Sequence, residues 1–514
     1  MAILVGATAG NNGGGGTSLT LTVSSPTGHW TAGAPLDASN SFFGVAYGGG
    51  YWVAVGNNGR LYWTTDPTGT WTQNNQGTTN FGRHGVVYGN GYWVVVGASG
   101  VLYYATDPTG VWTSNTQGST QLTSVAYGNG YFVAVGASGT LLYHATDPTG
   151  TWTSNAQGSV TFRGAAYVNG YWVAVGDSGT LWYHLTDPTG TWTQNNQGST
   201  ALYDLDYDGT RIVIAGLTGT ILYRSTDPTG AFTSNQQGGG TPQFTAVAYG
   251  NGYWIAPHDT SNTGEVYYAA DPTGTWTSNA TGYTVAAAED VIFAGGYWLS
   301  VGDTGQMSYM GSVLDNDVLL MQATVVGGTG TTITATGWQL LNRTNSGTAL
   351  AQGLYWRLAA SEPASYALTI TSNKASGVIA IIRNAETTQP VSAQYAGQAN
   401  ASSLTVTYPT LSTWTSTDGV DSVFGGIAQA DTPAAPTNYT QTVTSQSTGG
   451  GASSRTTSEH AFRALSAVTT VGQVTATWTG TAAVNIGHHV FIKTVPAAVS
   501  QVPYVNPMPS LLAQ

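Results

Sequence analysis

The segment that decides the fold runs Ser124-Val125-Ala126-Tyr127, Gly128-Asn129-Gly130, Tyr131-Phe132-Val133-Ala134-Val135, Gly136-Ala137-Ser138-Gly139, Thr140-Leu141-Leu142-Tyr143-His144-Ala145, Asp147-Pro148-Thr149-Gly150, Thr151-Trp152-Thr153. Short β-branched and aromatic runs alternate with turn clusters, and Asn-Gly between two such runs is a strong hairpin signal. The segment therefore predicts four short antiparallel strands. Pro presets one backbone angle of the last turn, Gly accepts positive φ, and Asp can bond the amides of its own turn. Trp152 then stands at a fixed distance, placed to pack between neighbouring units.

The unit recurs. Asp-Pro-Thr-Gly-x-Trp/Phe begins at Asp66, Asp107, Asp147, Asp187, Asp227 and Asp271, and a degraded copy, Ser25-Pro26-Thr27-Gly28-His29-Trp30, precedes them. Counted from Ser25, the copies are 41, 41, 40, 40, 40 and 44 residues apart. The partner phrase Tyr-Gly-Asn-Gly-Tyr-Trp lies near Tyr47, Tyr88, Tyr127, Tyr167, Tyr207, Tyr249 and Phe293, and no Asp-Pro-Thr-Gly follows its last copy. A period of about 40 with several strands per unit is the mark of a propeller blade. The expected fold is all-β: a seven-bladed β-propeller over 25–312, closed when His29-Trp30-Thr31 supplies the strand missing after Gln306 to Met310. Closure removes two exposed sheet edges.

The Thr-Asp-Pro-Thr-Gly-Thr-Trp phrase resembles the Asp-box of sialidase-type propellers. Its Gly lies one residue later than in the usual Asp-x-Gly-x-x-Trp, while the Asp-to-Trp distance is kept. In that group the box lies between the third and fourth strands of each blade, which agrees with the placement above. The resemblance covers roughly 25–312 and is specific for fold rather than chemistry.

Beyond residue 313 the repeat vanishes. Expected strands are Val318 to Val326, Gly353 to Leu358, Tyr366 to Thr371, Gly377 to Arg383, Ser403 to Val406, Gln473 to Trp478 and His489 to Lys493. Their spacing suggests a two-sheet, jelly-roll-like β-sandwich. Asp317-Val318-Leu319-Leu320, Gly337-Trp338-Gln339-Leu340-Leu341, Tyr355-Trp356-Arg357 and Thr388-Gln389-Pro390-Val391 resemble a sandwich module of tailed-phage virion proteins and some bacterial surface proteins. That module begins with a Gly-rich hairpin, matched here by Ile3 to Val23 with Gly13 to Gly16. The expected organisation is a first hairpin (1–24), the propeller (25–312) as an insertion, the remainder of the sandwich (313–496) and an extended tail (497–514). The tail reads either as a floppy terminus or as an arm on a neighbouring subunit.

Composition narrows the function. Only 7% of the 514 residues are charged, while Gly contributes 70, which suits turns and ribbons rather than helices. The 17 Trp and 29 Tyr supply enough apolar surface to argue against disorder. Net charge is −12 and only Lys374 and Lys493 are lysines, so a nucleic-acid partner is not expected. There is no Cys, hence no disulfide and no thiolate metal site. The N-terminus lacks the basic region of a signal peptide. No apolar run approaches the roughly 20 residues that span a bilayer, so membrane insertion is not expected.

Catalytic sets are sparse. A glycosidase needs two carboxyl groups at controlled separation, and the ring has only Glu265 and Glu289 beside Asp residues mostly used in turns. The sialidase resemblance would require a cluster of three arginines. Arg60, Arg83, Arg163, Arg211 and Arg224 occupy scattered repeat positions instead. Asp204-Leu205-Asp206-Tyr207-Asp208-Gly209 looks like the start of a calcium loop, but it aligns with first strands, and Ala215 stands where the terminal Glu belongs. Asp206 is expected to pair with Arg211 or line the channel, with a cation as the alternative. His488-His489 has no acidic partner nearby in sequence, so no metal or other cofactor is expected.

Three residues before each repeated Asp stand Trp63, Tyr104, His144, His184, Arg224 and Tyr268. Such side chains suit stacking on sugar faces and bonding hydroxyls, with packing between blades as the competing reading. The expected function is a non-enzymatic virion structural protein of a tailed phage, made in the host cytoplasm. Its sandwich and tail would contact other virion proteins, it would be a homo-oligomer (a trimer), and its propeller would face host-surface glycans. The alternatives are a polysaccharide-degrading enzyme, using Glu265, Glu289 or the Asp204–Asp208 cluster, and a bacterial surface lectin.

Overall fold

The structure, a computed structural model, describes residues 2–3, 18–22, 30–225, 227–240, 242–259, 264–281, 287–311, 313, 316–360, 365–371, 374–382, 385, 395–428, 434–446, 456–477 and 482–494. The chain divides into two compact units, one of Met1–Gly28 with Gly311–Ser500 and the other of His29–Met310. The expected tail lies outside the described residues, as does His29.

Residues 31–311 form five four-stranded antiparallel sheets and one eight-stranded sheet, in which two four-stranded antiparallel units join through a parallel bridge between His84 and Ser124; the four-stranded units are numbered as sheets 1–7 in chain order. Sheet 1 comprises Phe42–Gly48, Tyr51–Gly56, Leu61–Thr64 and Thr72–Gln73, and sheets 2–6 repeat this order. Sheet 7 takes Ala288–Ala294, Tyr297–Gly302 and Met307–Gly311, then Thr31–Ala32 from the start of the chain. There Thr31 pairs with Tyr309 and Ala32 with Ser308. The first strands of successive sheets neighbour one another in a closed cycle, sheet 7 beside sheet 1. That is the arrangement of a β-propeller.

Local chemistry explains the repeated phrases. Asn90 and Gly91 have φ of 47° and 82°, as the tight turn between right-twisted strands requires. In sheets 1, 2, 3 and 6 the Gly before this turn leaves room for the next sheet. A Cβ on Gly48 would lie 2.2 Å from the ring of Tyr88, and one on Gly89 2.1 Å from that of Tyr127. In the Asp-Pro-Thr-Gly turn, Asp147 Oδ1 accepts from Thr149 N at 2.8 Å and from Thr149 Oγ1 at 2.5 Å. Trp152 is buried and donates Nε1–H to Pro148 O at 3.2 Å. The core lies between sheets: Val53, Val55 and Leu61 of sheet 1 pack with Trp93, Val95 and Trp112 of sheet 2.

The outer rim is clasped. Asn115 Nδ2 donates to Pro148 O (2.8 Å) and Gly150 O (2.7 Å) of the next sheet's turn, and Trp152 N donates to Gln117 Oε1 at 3.0 Å. Asn74, Asn155, Asn195 and Asn235 bond the corresponding carbonyls of sheets 2, 4, 5 and 6. At the junction from sheet 7 to sheet 1 the equivalent position is Gly33, so this Asn clasp is lacking there.

In the other unit we number strands in chain order: β1 Ala2–Ile3, β2 Ser18–Thr22, β3 Val318–Val326, β4 Ile333–Thr334, β5 Gln339–Ser346, β6 Leu350–Leu358, β7 Ser365–Ile370 and β8 Ala375–Ile382, then β9 Tyr395–Ser403, β10 Thr405–Tyr408, β11 Leu411–Ile427, β12 Thr440–Gln446, β13 Thr457–Val471, β14 Val474–Thr477 and β15 Ala483–Lys493. Leu19 of β2 pairs with Leu368 of β7 and Ile3 of β1 with Ile381 of β8, so both early strands join sheets built after residue 313, but in two different sheets rather than as the expected hairpin. One two-sheet sandwich was expected. The structure has four sheets instead, ordered β1-β8-β3-β6-β5, β2-β7-β4, β9-β15-β11-β13-β12 and β10-β14. Successive apolar clusters join them face to face: Leu19, Leu21, Met321 and Ile379 in one, Val318, Leu320, Val420 and Phe424 in the next, Val406, Val423 and Ala476 in the third. The two large sheets are covered on both faces. This is why β3 and β8 are buried almost throughout and do not alternate as a two-sheet sandwich strand would.

The two halves of this unit have the same topology. Replacing β1, β2, β3, β5, β6, β7 and β8 by β9, β10, β11, β12, β13, β14 and β15 reproduces the sheet orders, and only β4 lacks a counterpart among the described residues. Pairing registers align Arg357 with Arg463, Trp356 with Phe462 and Gly377 with Gly487. The ring enters the chain between β2 and β3. At the equivalent point, between β10 and β11, stand only Pro409 and Thr410.

Candidate functional site

Departures from a repeat mark residues that the fold alone does not require. Six of the seven first strands have two residues between the opening side chain and the next inward apolar one, as from Phe42 to Val45. Sheet 2 has four between Phe81 and Val86: Gly82, Arg83, His84 and Gly85. Phe81 pairs with Gly97 and Val86 with Val95, so the two additional residues bulge out of register. The flanking glycines permit the bulge. A Cβ on Gly82 would lie 2.4 Å from Thr123 O, and one on Gly85 2.7 Å from Val96 O.

The bulge carries two cations to the far sheets. Arg83 pairs with Glu289 of sheet 7, which is nearly buried. His84 lies with Nδ1 3.6 Å from Asp290 Oδ1 of sheet 7 and Nε2 3.0 Å from Thr245 O of sheet 6. Residues of sheets 2, 6 and 7 meet in a closed ring only near its axis. Asp290 Oδ2 also accepts Val45 N of sheet 1 at 2.9 Å. Asp204 of sheet 5 accepts Val247 N at 3.0 Å, and Asp206 accepts Tyr249 N at 2.7 Å and Tyr207 N at 2.8 Å. Apart from a parallel bridge between His84 and Ser124, the described first strands have no strand partner on their inner edges, and these carboxylates accept the amides of Val45, Val247 and Tyr249 there. Nearby, Arg83 and Arg163 both approach the ring of Tyr203, at 5.7 and 5.4 Å.

The electrostatics follow from burial and mixed charge. Burial alone would lower the His84 pKa, but Asp204 and Asp290 outweigh it and raise it to about 9. Burial raises Asp206 to about 7 and Asp204 in the same direction. Each carboxylate named here accepts a hydrogen bond or pairs with a cation. All five ring arginines are likewise engaged: Arg60 with Asp37, Arg83 with Glu289, Arg163 with Asp177, Arg211 with Asp271 and Arg224 with Asp227. The expected pairing of Asp206 with Arg211 is therefore corrected. Arg211 Nη1 reaches Asp271 Oδ1 at 2.9 Å, while Asp206 turns to the backbone of sheet 6. Glu265 lies 3.7 Å from His258 Nδ1.

The six sequence candidates sit on the third strands of sheets 1–6. Trp63 meets Tyr51 edge-on, and Tyr104 meets Tyr92 in the same way. His144 and His184 pack against Trp152 and Trp192 at 6.2 Å. Arg224 donates to Asp227 O and Ala231 O, and Tyr268 joins the apolar cluster of Trp254's sheet with sheet 7. Each is partly exposed and supports its own sheet or the next. The repeated Asp66, Asp107, Asp147, Asp187, Asp227 and Asp271 each accept the amide of the Thr two residues on. Sequence reading passed over His84 and Asp290, counted Arg83 only among scattered arginines, and named Asp204 only within the Asp204–Asp208 cluster. The available signal was the spacing from Phe81 to Tyr92, two residues longer than from Phe42 to Tyr51. His489 does have an acidic partner: its Nε2 lies 2.6 Å from Asp421 Oδ1, brought in from β11. No group of three metal-ligating side chains occurs among the described residues.

No protein-family model matches the chain, and no curated protein matches it. Among solved structures it is similar to YCF48 bound to D1 peptide, with 16% identity, 57% of this chain and 98% of that chain covered, and a TM-score of 0.47. It is also similar to YCF48 from Cyanidioschyzon merolae (14% identity, 55% and 98% covered, TM-score 0.46) and to the RRP9 WD40 repeats (9%, 55% and 99%, TM-score 0.44). At these identities the likeness concerns fold alone. The chain is an all-β protein containing a β-propeller, by its own sheet order.

Proposed function

We propose that the chain is a non-enzymatic structural protein of a tailed-phage virion, in which a seven-bladed propeller of Asp-box type is an insertion in a β-sandwich and serves as its outward binding head. The observation that carries this reading is the point of entry. The ring interrupts the chain between β2 and β3, where the sister half makes do with Pro409-Thr410. A sandwich that completes its sheets on either side of an interruption is suited to anchoring, and an inserted ring to presentation. The virion assignment rests on the sandwich phrases beginning at Asp317, Gly337 and Tyr355.

Engagement of the channel carboxylates and ring arginines favours binding over hydrolysis, since a general acid must be free to give up its proton to substrate. Host-surface glycan is the proposed ligand, taken by the partly exposed Trp63, Tyr104, His144, His184, Arg224 and Tyr268. Mass spectrometry and microscopy of purified particles test the assignment, and absence of the chain from virions rejects it. Glycan-array binding lost in Tyr104→Ala with His144→Ala would place the ligand at the third strands. Reducing-sugar release from host polysaccharide, abolished by Asp206→Asn, would instead make the protein an enzyme.

A further inference from the structure

The two halves of the sandwich unit differ at the same core positions. Register pairing sets Leu319 against Asp421, Gly353 against Glu459 and Ile379 against His489, and the approach of Leu21 to Gly377 and of Tyr408 to the equivalent Gly487 sets Leu21 against Tyr408. In the first half Leu21, Leu319 and Ile379 are buried apolar residues of one cluster. In the second half the four are buried and polar. Tyr408 donates to Glu459 Oε1 at 2.5 Å. Asp421 accepts from Tyr439 and from Arg463 Nε at 3.0 Å, and faces His489 Nε2 at 2.6 Å. His489 Nδ1 lies 2.6 Å from Pro409 O, in the short link that corresponds to the ring's point of entry.

Stability does not call for this network. The sister half fills three of the four seats with hydrocarbon and covers the fourth, Gly353, with the Tyr355 ring, and exchanging buried ionic groups for well-packed apolar ones is often neutral or stabilising. We infer that the network labels the strands of the second half, so that β9 and β10 do not take the places of β1 and β2 beside β8 and β7. The hazard is specific to this chain. Thr22 and Val318 are 296 positions apart, whereas Tyr408 and Leu411 are separated by two residues, so β10 reaches a sandwich sheet long before β2 returns to one. Equal topology makes the exchange geometrically possible, and exchanged elements are a common route to wrong assembly. In the seat of Leu21, the hydroxyl of Tyr408 would meet Gly353, with the Tyr355 ring lying over it, where Glu459 should stand. An unmatched buried hydroxyl rejects the wrong partner. The inference is independent of what the ring binds.

The test is refolding of the full chain from guanidinium. It compares the wild type with a variant carrying the sister residues, Tyr408→Leu, Asp421→Leu, Glu459→Gly and His489→Ile, and with Tyr408→Phe, which removes only the hydroxyl. Recovery of the native species is followed by size-exclusion chromatography with light scattering, and melting is measured on the folded fraction. The expected result is at least a threefold loss of native species to larger or misfolded forms, with the melting temperature of the folded fraction retained. Recovery equal to wild type in the fourfold variant overturns the inference. So does a fall in melting temperature that accounts for the loss, since the network would then serve stability alone. Should the fourfold variant yield no folded protein, Tyr408→Phe decides: reduced recovery at unchanged melting supports the label, and unchanged recovery overturns it.

Discussion

The rim and the channel of the ring hold neighbouring sheets together by opposite means. At the rim one solution is copied: an Asn of one sheet bonds two carbonyls in the Asp-Pro-Thr-Gly turn of the next, across 33 to 39 positions of sequence. In the channel the contributions vary: sheets 5 and 7 set Asp204 and Asp290 alike on the amides of Val247 and Val45, the bulge of Arg83 and His84 occurs once, and partners lie as far apart as Val45 and Asp290, 245 positions. The rim clasp serves the junctions formed in chain order. Where the ring must close, Gly33 replaces the Asn, and the channel supplies Asp290 to Val45, Arg83 to Glu289 and His84 to Thr245. Copying secures neighbours along the chain, whereas closure adds, to a carboxylate–amide bond that sheets 5 and 6 also share, a bulge that occurs once.

The strongest way to break this contrast is to remove a repeated Trp. Trp152→Ala should lower ring stability by about 3–5 kcal/mol, as for other buried aromatic truncations, read by denaturant unfolding. An effect below about 1 kcal/mol would mean that the junction is held by polar clasps alone. In the channel, Arg83→Met strands the nearly buried Glu289 and should cost about 3 kcal/mol, reduced somewhat by the partial exposure of Arg83. Arg83→Met with Glu289→Met should recover most of the loss. If the double variant is as unstable as the single, the pair is not what joins sheets 2 and 7.

Asn155→Ala removes two clasp bonds and should cost about 1–2 kcal/mol. Gly33→Asn should bring no matching gain, because a Cβ there would lie 2.8 Å from Met307 Cε. A stabilised Gly33→Asn protein would show that a clasp can form at closure after all.

The smallest effect is the pH slope. His84 titrates near 9 in the fold, above its ordinary 6.5, so its contribution is complete below about pH 6.5 and is lost as pH rises through 9. Asp206 titrates near 7, above the ordinary carboxyl value. Stability should therefore also fall between about pH 4 and 7 as it ionises, although its amide bonds oppose the burial that raises it. The turn aspartates act oppositely: hydrogen bonds from Thr hold Asp147 and Asp187 low, so their contribution is lost on acidification. Asp206→Asn should flatten the slope between pH 4 and 7 and leave the alkaline limb. An unchanged slope would assign it to another group.

Much of the ring was legible in the chain. Asn-Gly turns, the Asp-Pro-Thr-Gly turn and the displaced fourth strand are local chemistry repeated at a fixed interval, so periodicity exposes them. Thr31 against Tyr309 follows from counting phrases. The sandwich was less legible. Segments such as Leu411–Ile427 and Thr457–Val471 were not expected as strands, because sheets covered on both faces lose the alternation that announces a strand. The duplication is carried by register, with few identities such as Arg357 and Arg463 to betray it. The candidate site was least legible, since Arg83, His84 and Asp290 each look like noise within a repeat.

Periodic turn chemistry thus determined, from sequence alone, that strands come in fours and that the first fragment completes the last unit. Only the tertiary structure decided which unrepeated side chains meet at the axis, and which halves of the sandwich correspond. Local patterns act over a few residues and can be read along the chain. Charges 206 positions apart, such as Arg83 and Glu289, become neighbours only after the ring has closed.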